Sequence, residues 1–141
     1  MAEFIPGLAL AERFYRELVR PILEREFAGV PHAAALLGDG SEVLGFDTEL
    51  STDHDWGPRT LLFLHEADHA RYAGAIHDVL RRRLPPTFLG WSTGFSAPDA
   101  ADGGTRSLVP AASGDVGHRV EVFTPRGFCL AQLGLDLERP L

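Results

Sequence analysis

Residues 40–59 read GSEVLGFDTELSTDHDWGPR and form the most specific run of the sequence. It opens on Gly40 and Ser41, placed between an apolar run and a predicted helix, where backbone N–H groups and a hydroxyl are offered to phosphate oxygens. Asp53-His54-Asp55 follows after eleven further residues. If this tripeptide begins a strand, the Asp53 and Asp55 side chains point to the same face, about 6.5 Å apart along the backbone. Two carboxylates spaced in this way can hold divalent cations between them.

A third carboxylate, Glu121, lies in an apolar setting near the other end of the chain. Val120 and Val122 flank it, and residues 118–123 alternate polar and apolar side chains, which predicts a strand. The valines should face the core, so the glutamate projects from the opposite face. If this strand lies beside the strand that carries the aspartates, three carboxylates converge and need cations to offset their mutual repulsion. An oxygen-only ligand set favours Mg²⁺ or Mn²⁺ over Zn²⁺.

These features together resemble the signature of the nucleotidyltransferase superfamily, which has the polymerase-beta-like fold. The resemblance is carried by Leu37–Ser41, by the Asp-His-Asp tripeptide and by the late apolar-Glu-apolar strand. More narrowly, residues 40–59, together with His118–Val122 and Arg126–Phe128, are similar to an uncharacterised bacterial nucleotidyltransferase-like domain family. The similarity covers nearly the whole chain and implies a small mixed sheet backed by helices.

The resemblance also implies a reaction and a role for each site residue. An acceptor hydroxyl would attack the α-phosphorus of a nucleoside triphosphate such as ATP, and pyrophosphate would leave. Mg²⁺ or Mn²⁺ would be the cofactor. The implied roles are phosphate binding for Gly40 and Ser41, metal binding and catalysis for Asp53 and Asp55, and completion of the metal site with deprotonation of the acceptor for Glu121.

Relatives in this superfamily usually continue into a helical domain that helps to enclose nucleotide and acceptor, whereas this sequence stops at Leu141. The resemblance therefore implies that only the N-terminal catalytic core is present, with a helical partner protein or a further C-terminal domain as the expected complement. A fragment, a minimal enzyme that works with a partner, and a remnant without activity all stay open. The principal alternative function is a non-catalytic module of the same fold that binds a nucleotide or a partner.

A competing motif begins at His65. His65-Glu66-Ala67-Asp68-His69 matches the H-E-x-x-H pattern of zinc proteases, in which both histidines bind zinc from one helical face and the glutamate is the base. His65 directly follows the strand-like run 61–64, so we expect it outside the helix. No third ligand follows at a recognised spacing. A zinc hydrolase that uses His65, Glu66 and His69 is thus a remote alternative.

The rest of the chain predicts alternating helices and strands. Helices are predicted over residues 8–27 with an interruption at Pro21, over 41–46, over 66–84, and as a short packed segment between 125 and 141. Strands are predicted over residues 33–37, 54–64, 88–91 and 118–123, and residues 97–117 form a long surface loop. His118 is expected at the surface. This order predicts an α/β (α+β) fold with a small mixed β-sheet flanked by helices, in a single domain over residues 1–141.

The amino-acid composition narrows the classes of partner that the chain is expected to bind. The chain has 141 residues and a formal net charge of −7, and all 13 basic residues are arginine. An acidic chain repels a phosphate backbone, which disfavours broad binding to nucleic acid. The single cysteine, Cys129, cannot form an internal disulfide. The sequence shows no leader and no apolar run approaching 18 residues, so we expect a cytoplasmic protein with no membrane partner.

Overall fold

A computed structural model of the chain describes residues 5–35, 57–96, 108–109 and 114–134. The predicted site residues Gly40, Ser41, Asp53 and Asp55 lie outside these ranges, as does the helix predicted over 41–46. Glu121 lies inside them.

The five described strands form one three-stranded sheet and one hairpin. They are β1 Ala33–Ala35, β2 Arg59–Phe63, β3 Thr87–Phe88, β4 Trp91–Ser92 and β5 Arg119–Phe123. The sheet has the order β1-β2-β5, with β1 antiparallel and β5 parallel to the central strand β2. In the parallel ladder, Leu61 lies opposite Glu121 and Arg59 lies opposite Arg119.

The helices begin and end close to the predicted positions. They are α1 Gly7–Phe14, a π-helical segment Tyr15–Val19, α2 Arg20–Glu26, α3 Glu66–Arg83 and α4 Pro125–Leu133. The predicted interruption at Pro21 takes the form of this π-helical segment. Pro21 has no N–H to donate to the carbonyl of Glu17, and the widened turn just before it accommodates the missing bond.

Helix α3 and the hairpin β3–β4 both lie in the segment that joins the parallel strands β2 and β5, as a parallel pair requires a long crossover. The first turn of α3 carries Glu66 and Asp68, and its last turn carries Arg81, Arg82 and Arg83. Both groups complement the helix dipole. The prolines at 85 and 86 stop the helix, so the predicted span of 66–84 is confirmed to within one residue.

The core lies on one face of the sheet. Leu62, Leu64 and Val120 are 0%, 3% and 3% exposed and point to this side. They pack against buried side chains from the helices and the hairpin: Leu10, Phe14, Val19, Leu23, Ile76, Leu80, Leu84 and Phe88. We call this side, which Thr60, Leu62, Leu64 and Val120 define, the helix-covered face.

Two predictions for the middle of the chain are wrong. The strand predicted over 88–91 is a hairpin, because Leu89 and Gly90 both have positive φ angles, 51° and 84°, and turn the chain between β3 and β4. A surface loop is predicted over 97–117, but Val116 within it is buried. It is 5% exposed and donates its N–H to the carbonyl of Arg81.

The predicted combination of helices with a small mixed β-sheet is confirmed for the described residues. None of the described helices is long and apolar enough to cross a membrane. The single domain over residues 1–141 and the cytoplasmic location stay predictions.

Candidate functional site

Glu121 lies at the middle of β5 and points away from the core. Side chains alternate along a strand, so Val120 and Val122 face the helices while Glu121 faces the other side of the sheet. Its side chain is 39% exposed. We call this side the Glu121 face; its members are Arg59, Leu61, Phe63, Arg119, Glu121 and Phe123.

Two arginines accompany Glu121 on this face. Arg59 and Arg119 occupy the same position in the parallel ladder, which brings their Cα atoms to about 4.8 Å from one another. Arg59 is 7% exposed and the Arg119 side chain is 15% exposed, so both guanidinium groups are largely withdrawn from water. The Nε atom of Arg119 lies 3.8 Å from Oε1 of Glu121.

One end of the Glu121 face is bounded by Phe95 and Leu108. The Arg119 guanidinium lies 5.8 Å from the centre of the Phe95 ring. Gly57 packs tightly against both side chains. A Cβ at this position would lie 2.7 Å from Cδ2 of Leu108 and 3.0 Å from Cζ of Phe95. Its φ of 135° also favours glycine, so both conformation and space require glycine at this position.

The other end of the face is bounded by α4. Thr124 begins this helix, and its Oγ1 accepts a hydrogen bond from the N–H of Gly127. This cap directs Phe128 onto the sheet, where its ring lies 5.4 Å from Phe63 and 5.5 Å from Phe123. Glu121 therefore lies along β5 between two aromatic boundaries.

The sequence left open whether the two site strands lie side by side, and the described residues show that β2 and β5 do. The strand that follows Asp53-His54-Asp55 runs parallel to β5 and directly beside it. The described part of this strand begins at Arg59, because Gly57 and Pro58 form a bend, whereas the prediction placed strand from residue 54. The convergence of Asp53 and Asp55 on Glu121 falls outside the described residues and stays a prediction.

Metal binding by the described part of the chain alone is not indicated. Within residues 5–35, 57–96, 108–109 and 114–134, no three His, Cys, Asp or Glu side chains form a group that could hold a metal ion. A carboxylate such as Glu121 is the hard oxygen donor that Mg²⁺ prefers. It would need further ligands, and Asp53 and Asp55 are the predicted ones.

The H-E-x-x-H segment does not have zinc-site geometry. His65 is the N-cap of α3 and is exposed, as the sequence predicted, so the two histidines do not both lie within the helix. The Nε2 atom of His69 lies 3.0 Å from the carbonyl oxygen of Val122 and must donate to it. This bond ties α3 to β5 and gives His69 a structural role.

His118 was expected at the surface, and this prediction is wrong. It is 2% exposed, its Nδ1 accepts the N–H of Val120, and its Nε2 donates to the carbonyl oxygen of His77 at 3.0 Å. The rings of His118 and His77 lie 4.5 Å apart. Its place just before β5, on the same side as Val120, is the signal that a core position was available.

A cavity of about 300 Å³ lies on the helix-covered side, away from Glu121. Its lining is mostly apolar: Leu8, Ala11, Glu12, Tyr15, Ala34, Ala35 and Thr60. The Tyr15 hydroxyl and Nε2 of His32 share a hydrogen bond of 2.7 Å, and burial raises the pKa of Tyr15. No carboxylate pair or basic cluster lines this cavity among the described residues, so it does not offer the chemistry predicted for the site.

Comparison with protein-family models, with curated proteins and with solved structures finds no match to this chain. The nucleotidyltransferase resemblance of residues 40–59 thus stays a prediction.

Proposed function

We propose that this protein is a metal-dependent nucleotidyltransferase with a nucleotidyltransferase-like fold. It transfers a nucleoside monophosphate from a nucleoside triphosphate to an acceptor hydroxyl. The bond between the acceptor oxygen and the α-phosphorus forms, the bond between that phosphorus and the bridging oxygen breaks, and pyrophosphate leaves. The observation that carries the proposal is the position of Glu121, on the partly exposed face of β5 and directly beside the strand that follows Asp53-His54-Asp55.

Each predicted residue takes part in this reaction. Gly40 and Ser41 bind phosphate oxygens through backbone N–H groups and a hydroxyl. Asp53 and Asp55 hold the metal ions. Glu121 completes the site and accepts the proton of the acceptor hydroxyl. Bound Mg²⁺ or Mn²⁺ would supply charge neutralisation at the phosphates.

If Asp55 and Glu121 bind the same metal ions, the chain must turn between Asp55 and β2. Asp55 precedes Leu61, the neighbour of Glu121, by six residues, which in full extension would separate them by roughly 20 Å. The carboxylates can meet only if the chain turns before β2. The bend at Gly57 and Pro58, with its positive φ at Gly57, is compatible with such a turn.

The described geometry bears differently on the two alternative functions. A non-catalytic module that binds a nucleotide or a partner would use the same residues and would differ only in turnover. A zinc hydrolase is disfavoured, because His65 caps α3 and His69 is bonded to Val122.

Calorimetry with a non-hydrolysable nucleoside triphosphate, with and without Mg²⁺, tests the site assignment. We expect magnesium-dependent binding in the wild-type chain. Asp53→Asn and Asp55→Asn should each weaken it at least about tenfold, or about 1.4 kcal/mol, because each removes a charged metal ligand.

The matched control is Glu24→Gln. It removes the same charge from an exposed side chain on α2, which is paired with Arg20 at 2.9 Å. Its affinity should equal that of the wild type. Unchanged affinity in both aspartate variants would contradict the site assignment. Nucleotide binding without release of pyrophosphate from the nucleotide, whichever acceptor is added, would favour the non-catalytic binding module.

A further inference from the structure

The cavity between α1 and the strands β1 and β2 exists because several of its walls are small. Ala11 on α1 and Ala34 and Ala35 on β1 each present only a methyl group to it. Protein interiors are otherwise close-packed, so a gap of about 300 Å³ leaves these walls without packing partners. Small-molecule sites range over about 300–1,000 Å³. The cavity therefore has room for a ligand the size of a single ring system.

A buried threonine contributes a polar group to the lining. Thr60 lines the cavity from the helix-covered face of β2 and is only 3% exposed. Within the part of the chain that the structure describes, its hydroxyl makes no hydrogen bond. A buried hydroxyl without a partner is unfavourable, because it has lost its bonds to water. A ligand that exchanges a hydrogen bond with Thr60 would remove this cost.

The lining favours an uncharged ligand. None of the described lining residues is basic, so a carboxylate or phosphate would find no opposite charge in the cavity. Glu12 is the charged residue among them, but its side chain is 69% exposed and paired with Arg16 at 3.1 Å. Burial raises the pKa of Tyr15, so the phenol in the wall stays neutral as well. The interior of the cavity therefore offers no charge to either an anion or a cation.

We propose that this cavity binds a small uncharged molecule with an apolar ring and one hydroxyl, such as a phenol or a cyclic alcohol. The ring fills the space beside Ala11, Ala34 and Tyr15, and the hydroxyl forms a hydrogen bond with Thr60. The site lies on the helix-covered side and does not depend on the Glu121 face, so it does not rest on the proposed function. Water is the competing occupant, but a buried water needs about two to four polar partners, and this lining is mostly apolar.

Titration of the full chain with phenol, benzene and benzoate, followed by heteronuclear NMR, tests the site. We expect phenol and benzene to shift the amide signals of the residues that line the cavity, since apolar cavities bind such rings, and benzoate to shift none of them. Thr60→Val should weaken phenol binding at least about fivefold, because the buried hydroxyl of the ligand loses its partner. The same variant should bind benzene within about twofold of the wild type, which also shows that the variant is folded.

Ala34→Leu fills the cavity and should weaken the binding of phenol and benzene at least about tenfold. It should not lower stability in urea, because the added carbons occupy empty space. The matched control is Ala33→Leu, the same change at the preceding residue of β1, which is exposed on the other side of the strand and should leave phenol binding unchanged. Absence of phenol binding, benzoate shifts as large as those of phenol, or equal weakening in both leucine variants would overturn the inference. Equal weakening of phenol and benzene in Thr60→Val would contradict the hydrogen bond to Thr60.

Discussion

The two faces of the same three-stranded sheet have opposite chemistry. On the helix-covered face, Thr60, Leu62 and Val120 are at most 3% exposed and pack against α1, α2 and α3. On the Glu121 face, the alternate positions hold Arg59, Leu61, Arg119 and Glu121, and the Glu121 side chain is 39% exposed. A strand changes face at every residue, so one short ladder serves both as the core and as a platform for charge. Stability should therefore depend on one face, and nucleotide binding on the other.

The largest expected effect is on the helix-covered face. Leu62→Ala should lower the free energy of unfolding by about 2–5 kcal/mol, because Leu62 is 0% exposed and its removal leaves a cavity among the helices.

Leu61→Ala is the matched change at the next residue of β2, on the Glu121 face. Leu61 is only half-buried, so its replacement should cost less than half as much. Urea unfolding followed by circular dichroism measures both values. Equal losses of unfolding free energy in the two variants would contradict the expected difference between the faces.

A smaller loss of stability is expected when the buried His118, on the helix-covered side, is replaced. His118→Ala should cost about 1–3 kcal/mol, because it leaves the buried N–H of Val120 without its acceptor and removes the bond to the carbonyl of His77. His77→Ala keeps the carbonyl that His118 uses and removes only an exposed ring.

The expected change for His77→Ala lies within about 0.5 kcal/mol of the wild type. Thermal unfolding of both variants at one pH compares them. A cost for His77→Ala as large as that for His118→Ala would mean that ring stacking, and not the buried hydrogen bonds, stabilises this contact.

Local signals predicted the elements well. The charges at both ends of α3 and the prolines after it fixed the helix to within one residue, and the alternation around Glu121 identified β5 and its two faces. The ends of α3 and the alternation along β5 depend on residues that are neighbours in sequence, so one sequence is enough to predict them.

Features that depend on long-range contacts could not be predicted in this way. The hairpin at Leu89 and Gly90 was missed because leucine rarely adopts a positive φ and so gave no turn signal. The burial of His118 depends on a carbonyl 41 residues away on α3. The pairing of Arg59 with Arg119 depends on strand register, which sequence alone does not fix between strands joined by a crossover.

Magnesium-dependent pyrophosphate release, measured with a panel of nucleoside triphosphates and hydroxyl acceptors, tests most directly whether the Glu121 face is catalytic. The wild-type chain is compared with Glu121→Gln and with the control Glu24→Gln, which carry the same change on opposite sides of the molecule's core. We predict turnover in the wild type and in Glu24→Gln, and a loss of about 100-fold or more in Glu121→Gln, equal to about 2.7 kcal/mol of transition-state stabilisation. Equal rates in all three proteins would contradict the claim that the Glu121 face is the catalytic one.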